Sequence, residues 1–175
     1  MAGAFAEASP GDLERLLARA RLLALDVDGT LTDGRVAYVG DEELAVFHVH
    51  DGQGLAWLMK AGVAVAWISG RGSRAVARRA EELGVRELHL HCGPKDLVLA
   101  GIQERLGIPP AETVAMGDDV VDLAFLERAA LLVAPADARP EVRARAGIVT
   151  RAGGGAGAVR ELCERWLAAH EPRPA

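Results

Sequence analysis

Aromatic residues are scarce, with three Trp, three Phe and one Tyr in 175 residues. A core must therefore be packed mainly from Ala, Val and Leu, and the apolar types together make up 50% of the chain. Cysteine is scarcer still. Cys92 and Cys163 are too few and too isolated for a disulfide framework or a zinc ribbon. Lysine occurs only at Lys60 and Lys95, every other basic residue being Arg, so a lysine beside a loop stands out. Positive charge is also in deficit. The net charge of -5, with scattered Arg and no interleaved aromatics, argues against a nucleic-acid binder. No apolar run reaches the roughly 20 residues of a membrane span. Met1–Ala8 lacks the basic start of a signal peptide. One compact domain over residues 1–175, in the cytoplasm, is the expectation.

What is present is polar punctuation at the ends of apolar runs. Leu22–Val27 has the length and composition of a buried strand. It finishes in Asp26-Val27-Asp28-Gly29-Thr30-Leu31-Thr32-Asp33. Side chains two apart on an extended chain point the same way, so Asp26 and Asp28 would project together. Unpaired carboxylates beside apolar surface are costly, and a divalent cation is the simplest offset. Gly29 lets the backbone turn behind them. An ordinary acidic turn or a calcium loop shares this pattern.

Around this stretch strands and helices alternate. Pro10 opens a capped amphipathic helix, and Arg35–Val39 with Leu44–Val49 flank Gly40-Asp41-Glu42-Glu43 as a β-hairpin. Helices are expected from Asp51 to about Ala61, Ser73 to Leu83, Pro94 to Leu106, Val120 to Arg128, Pro140 to Ala144 and Ala158 to Ala169. Strands are expected at Val63–Ile68, Glu87–Leu90, Thr113–Met116, Ala130–Val133 and Ile148–Val149. Gly153–Gly157 reads as flexible, the start of a mobile C-terminal segment and helix over 153–175, with Pro172–Ala175 frayed.

Strands that are apolar throughout and alternate with helices predict an α/β fold, a Rossmann-like parallel sheet with helices on both faces. Such sheets bind ligands at the carboxyl ends of their strands, where strand order reverses. Asp26 and Asp28, Ser69, Lys95, and Asp118 with Asp119 each follow a different strand. Taken singly, Ser69 also suits a turn, Lys95 a surface position in a helix's first turn, and Asp119 a helix N-cap.

Together, Asp26-Val27-Asp28-Gly29-Thr30, Ser69-Gly70-Arg71, Lys95 and Gly117-Asp118-Asp119 with Asp122 resemble the four motifs of the haloacid-dehalogenase superfamily, in its small capless branch. The likeness runs from about Leu22 to Arg165. Asp26–Arg35, Asp51-Gly52-Gln53-Gly54 and Gly157-Ala158-Val159-Arg160-Glu161 narrow it to the phosphatases of 3-deoxy-D-manno-octulosonate 8-phosphate. The resemblance implies a parallel sheet with a small hairpin flap at 35–49, no separate cap domain, and a role in lipopolysaccharide biosynthesis. It implies Asp26 as the nucleophile that forms an aspartyl-phosphate, and Asp28 as the acid and base for the leaving oxygen and the water. It implies Mg²⁺ held by Asp26, Asp118 and the Asp28 main-chain carbonyl. Substrate contacts are implied for Asp28, Thr30, Ser69, Gly70, Arg71, Arg79 and Lys95, with Asp119 and Asp122 orienting metal waters or Lys95. Arg71 and Arg79 lie eight apart near one helix face and suit an acidic sugar, although a solvated face with Arg74 and Arg78 has the same pattern. A homotetramer is implied, each site closed by a neighbour's hairpin and C-terminal tail, the latter placed at Gly153–Gly157.

Three positions depart from the family's pattern. Ala156 stands where Arg or Lys is usual, His50 where Arg is common before Asp51-Gly52, and His91 where Gly is usual. These concern substrate choice more than chemistry, and related nonulosonate 9-phosphate or broad small-ester phosphatases share the motifs. A binding module of the same fold without turnover is the other reading; intact Asp26, Asp28, Lys95 and Asp118 speak against it. Phosphomutases need a larger cap than any segment here provides. His48-x-His50 and His89-x-His91 would make a zinc site only if adjacent, and alternating histidines more often pack or face solvent.

Overall fold

Leu22, Leu23, Ala24 and Leu25 form the first strand, β1 (Leu22–Leu25), of a computed structural model that describes residues 10–170. All four are buried, because β1 is central. It pairs in parallel with β4 (Ala64–Ile68) on one side and β6 (Thr113–Met116) on the other. Beyond β4 lies β5 (Glu87–His89); beyond β6 lie β7 (Leu131–Ala134) and β8 (Ile148–Val149). The parallel order β5-β4-β1-β6-β7-β8 means that the chain first builds outward from β1 on one side, then returns and builds on the other. That reversal puts a crevice at the carboxyl end of β1.

Alternation sorts the sheet residues between two cores. Leu23, Leu25, Val65, Trp67, Val114 and Met116 face α1 (Pro10–Arg19), α2 (Val49–Lys60), α3 (Arg74–Leu83) and α6 (Ala158–His170). Leu22, Ala24, Ala66, Ala115 and Ala134 face α4 (Lys95–Leu106), the short α5 (Pro140–Arg143) and a 3₁₀ segment, Val120–Glu127. The alanines on this second face give α4 and Phe125 room to seat against the sheet. Gly84 and Gly107 close α3 and α4 in the left-handed conformation.

The sequence places most elements to within two residues, and the differences have physical causes. The hairpin pairs β2 (Ala37–Val39) with β3 (Glu42–Leu44), so only Gly40-Asp41 form the turn, the favoured two-residue hairpin loop. The chain after β3 leaves the ladder, and Val49 already opens α2, with the His48 side chain accepting the His50 N–H. Phe47 stacks on Trp67 with ring centroids 6.0 Å apart and fixes the base of the hairpin. Val120–Glu127 is 3₁₀ rather than α, following a capping box between Asp119 and Asp122.

Gly153–Gly157 is the larger correction. It is a turn between β8 and α6, packed within its own chain rather than a projecting tail. Gly155 N–H donates to the Thr30 carbonyl at 3.1 Å and Gly154 N–H to Asp137 Oδ1 at 2.9 Å. The Pro172–Ala175 tail and the Met1–Ala8 start lie outside the described residues. Among the described residues, no helix is long and apolar enough to cross a membrane.

Candidate active site

Asp26 leaves β1 still tied to the sheet, its N–H donating to the Met116 carbonyl at 2.9 Å. The Val27 carbonyl then accepts from Thr30, Leu31 and Thr32 N–H groups, which curls the chain back under the acidic pair. Gly29 makes the curl possible. Its φ is +95°, and a methyl group there would run into the Asp118 carboxylate. Asp118 arrives from the end of β6, and Thr30 Oγ1 donates to its Oδ1 at 3.2 Å.

Lys95 comes from the first turn of α4, entering from the far side of the sheet. Its Nζ donates to Asp26 Oδ1, and to Asp122 Oδ1 at 2.6 Å. Asp122 is sealed from solvent, and its Oδ2 accepts from the Asp118 and Asp119 N–H groups at 2.9 and 3.0 Å. Gly117 is required beside it, since a Cβ there would overlap the Asp122 carboxylate. Lys95 is thus a buried cation between two carboxylates, with Phe125 beneath it at 5.5 Å.

Carboxylate oxygens of Asp26, Asp118 and Asp122 all lie within 4.8 Å of one another. Burial first, then the neighbouring Asp122 charge, raises the Asp26 pKa well above the carboxylate range, while Lys95 pulls it back. Asp118 is pushed up to about 6, by burial and then by Asp122. Burial alone would lower the Lys95 pKa, but Asp26 and Asp122 outweigh it and raise the net value. One lysine does not offset three clustered carboxylates. A donor set of oxygens only, with negative charge in excess, suits a hard divalent ion such as Mg²⁺. Asp122 has both oxygens engaged by Lys95 and backbone N–H groups, so Asp26 and Asp118 are the carboxylates able to hold it. Asp28 contributes no carboxylate oxygen to this group.

Asp28 instead faces Ser69 and Arg71. Ser69 Oγ donates to Asp28 Oδ2 at 3.0 Å and accepts the Arg71 N–H at 3.0 Å. Arg71 Nε lies 3.8 Å from Asp28 Oδ1, and its Nη2 reaches Glu43 of β3 at 3.0 Å. A cavity of about 470 Å³ opens between these groups, lined by Asp26, Asp28, Ser69, Gly70, Arg71 and Lys95 together with Cys92, Asp96, Asp119 and Val121. Its size accommodates a small phosphorylated molecule.

Three of the residues expected at the site, Thr30, Arg79 and Ser69, need restating. Thr30 is sealed from solvent and spends its hydroxyl on Asp118, so it orients an acidic ligand rather than touching substrate. Arg79 does not share a face with Arg71, which precedes α3. Its guanidinium lies over Gly52 of α2 and pairs with Glu82 at 3.4 Å, away from the cavity. Ser69 bonds Asp28 here, so donating to a phosphoryl group requires its hydroxyl to turn. Asp119 caps the 3₁₀ segment, accepting from Val120 N–H at 2.7 Å, and also lines the cavity. Asp122 orients Lys95 and the backbone at the end of β6. The histidine pairs make no metal site: His48 and His50 contact each other edge-on at the start of α2, while His89 pairs with Glu87 at 3.0 Å.

Cys92, Asp96 and Val121 were not legible as lining residues. The only signal for Cys92 was its place three residues before Lys95. Its N–H donates to the Ser69 carbonyl at 3.0 Å, which joins the two loops across the cavity. His91 has φ +55°, in the left-handed region that favours glycine.

Residues 95–161 match the model of the haloacid dehalogenase-like hydrolase family. The 3-deoxy-D-manno-octulosonate 8-phosphate phosphatase of Escherichia coli K12 is 42% identical over 151 residues, 85% of this chain and 80% of that protein. The crystal structure of the phosphatase of that name from Yersinia pestis superposes with a TM-score of 0.87 at 37% identity, covering 91% of this chain and 86% of the other. A third, from Moraxella catarrhalis, solved with a magnesium ion, a phosphate ion and a 3-deoxy-D-manno-octulosonate molecule, gives a TM-score of 0.88 at 35% identity over 92% and 93% of the two chains.

Proposed function

The chain belongs to the haloacid dehalogenase-like hydrolases, among the 3-deoxy-D-manno-octulosonate 8-phosphate phosphatases, and from that premise we propose that it hydrolyses this sugar-acid phosphate at a magnesium site. The observation that carries the reading is the meeting of Asp26, Lys95, Asp118 and Asp122 at the end of β1, below a cavity bordered by Asp28 and Ser69. A regulatory module of the same fold would have no use for both acidic roles.

Asp26 attacks phosphorus with one carboxylate oxygen, and the bond to the sugar oxygen breaks on the opposite side. Lys95 favours the ionised form of Asp26 against its burial and offers a compact cation to the phosphoryl oxygens. Asp28 protonates the departing sugar oxygen. It then takes a proton from water as that water attacks the phosphorylated Asp26, returning the carboxylate and releasing phosphate. Ser69 turns its hydroxyl from Asp28 to the phosphoryl group. Bound at Asp26, Asp118 and the Asp28 carbonyl, Mg²⁺ supplies charge that draws electron density from the phosphoryl oxygens.

Gly70 and Arg71 border the cavity, where the Arg71 fork suits the sugar's carboxylate. Arg79 lies outside it in a single chain and is not assigned to the substrate. A homotetramer fits the exposed apolar side chains of the hairpin region, Tyr38, Val39 and Val46 among them, which a second copy would cover. The free thiols of Cys92 and Cys163 agree with a reducing cytoplasm.

Phosphate release with Mg²⁺ over a panel of octulosonate 8-phosphate, nonulosonate 9-phosphate and simple sugar phosphates tests the reading. The octulosonate ester should lead in kcat/KM by about tenfold or more. Equal weak rates would point to a broad small-ester enzyme. No release from any ester would leave a binding module.

A further inference from the structure

The turn between β8 and α6 is fitted against the back of the acidic loop more closely than a connector requires. A methyl group on Gly154 would overlap the Gly29 carbonyl oxygen, and one on Gly155, whose φ is +62°, would press on Thr32 and Asp33 backbone. Gly29 in turn has no room because of Asp118. The contacts therefore stack in order: Gly154 on Gly29, and Gly29 on Asp118. A second route runs beside the first. Gly155 N–H donates to the Thr30 carbonyl at 3.1 Å, and Thr30 Oγ1 donates to Asp118 at 3.2 Å.

The turn is itself tied down at several points. Asp137, following β7, accepts the Gly154 N–H at 2.9 Å. Glu161 of α6 accepts the Arg151 and Ala152 N–H groups at 2.9 and 3.3 Å. The Ala152 carbonyl accepts from Thr150 Oγ1 at 2.7 Å and from Ala136 N–H at 3.1 Å. None of these residues lines the cavity. A loop serving only as a connector has no need of two carboxylates and a residue without space for a methyl group.

We propose that this turn is a buttress of the magnesium site, with Gly154 as its positioning residue and Asp137 as the anchor that holds Gly154 in place. It acts through Gly29 and Thr30 on Asp118 and touches neither substrate nor metal. The inference rests on the reading of Asp26 and Asp118 as magnesium ligands.

Calorimetric titration of the full chain with MgCl₂ reads the effect directly, beside the magnesium dependence of the rate. Gly154→Ala should weaken magnesium binding by about tenfold, the lower end of the effect of supporting residues around a metal. Excess Mg²⁺ should restore most of kcat, with KM for the ester little changed. Asp137 is solvent-exposed, so Asp137→Ala removes the anchor without opening the core and serves where Gly154→Ala does not fold. It should weaken magnesium binding about fivefold, the scale of one ordinary hydrogen bond. Asp137→Asn keeps an acceptor oxygen and should recover most of that loss.

An Asp118→Asn control separates the two layers. Wild-type magnesium binding that disappears in this control secures the ligand reading. Unchanged magnesium affinity in a folded Asp137→Ala or Gly154→Ala protein then overturns the buttress alone. Absence of magnesium binding in the wild-type chain overturns both.

Discussion

Lys95 Nζ lies 2.6 Å from Asp122 Oδ1, while the other oxygen of Asp122 is occupied by two backbone N–H groups at the end of β6. One carboxylate thus fixes both the cation of the site and the loop that carries Asp118. Lys95 retains Asp26 if Asp122 is lost, and a like charge is removed from Asp26 and Asp118, so the stability cost is moderated.

Asp122→Ala should lower stability by about 2 kcal/mol, mainly from the buried N–H groups left unpaired. It should lower kcat by roughly 100-fold, because Lys95 and the loop lose their common anchor. Asp122→Asn can serve Lys95 and one side of the backbone only in part, and should fall between. Thermal melts and steady-state kinetics on the two variants check this ordering.

The pH dependence of stability follows from Asp118. Its pKa is pushed up to about 6 without metal, by burial and by Asp122. A group with a higher pKa folded than unfolded stabilises the fold below its unfolded value, and that contribution is lost as pH rises through about 6. Magnesium favours the ionised carboxylate and reverses the loss. The rise in Tm on adding Mg²⁺ should therefore be larger at about pH 7.5 than at about pH 5. A shift that is equal at both, or larger in acid, would contradict the assignment of Asp118.

His91→Gly should stabilise the protein. Its φ of +55° costs a non-glycine residue about 1–2 kcal/mol. Glycine returns part of that through the freedom it gives the unfolded chain, about 0.5–1 kcal/mol. A net gain of about 0.5–1 kcal/mol in urea unfolding is expected. A loss would mean that the ring of His91, close to Gly72, contributes packing that outweighs the backbone.

Asp51 tests the second sequence signature. Its Oδ1 accepts the Arg160 N–H at 2.7 Å across the α2–α6 interface, so it caps α6 from another helix. Its Oδ2 is buried without a protein partner, and burial raises its pKa. Asp51→Ala should cost about 1 kcal/mol, the value of a cap. Asp51→Asn keeps the acceptor and removes a disfavoured charge, so its Tm at neutral pH should match or exceed the parent's.

Strand ends were legible because apolar runs stop abruptly at Asp26, Ser69 and Asp118, and a parallel sheet gathers such ends on one edge. Gly29 was legible as a turn and Gly117 only as part of a motif, and the purpose of each, space for Asp118 and Asp122, needed the folded structure. Asp51 was visible only as a family signature. Its partner stands 109 residues away, beyond any local pattern. Gly153–Gly157 looked mobile because glycine content reports freedom, and the same content also permits the closest packing. Arg79 was expected beside Arg71 because eight residues on a helix suggest one face, whereas Arg71 lies before α3 begins.

Trapping the phosphorylated enzyme tests the central claim most directly. Acid quench of the magnesium-loaded protein during turnover of octulosonate 8-phosphate, followed by peptide mass analysis, should find one phosphoryl group on Asp26. It should be absent in Asp26→Asn, which should also release no phosphate. A phosphoryl group on another residue, or phosphate release that survives Asp26→Asn, would contradict the account.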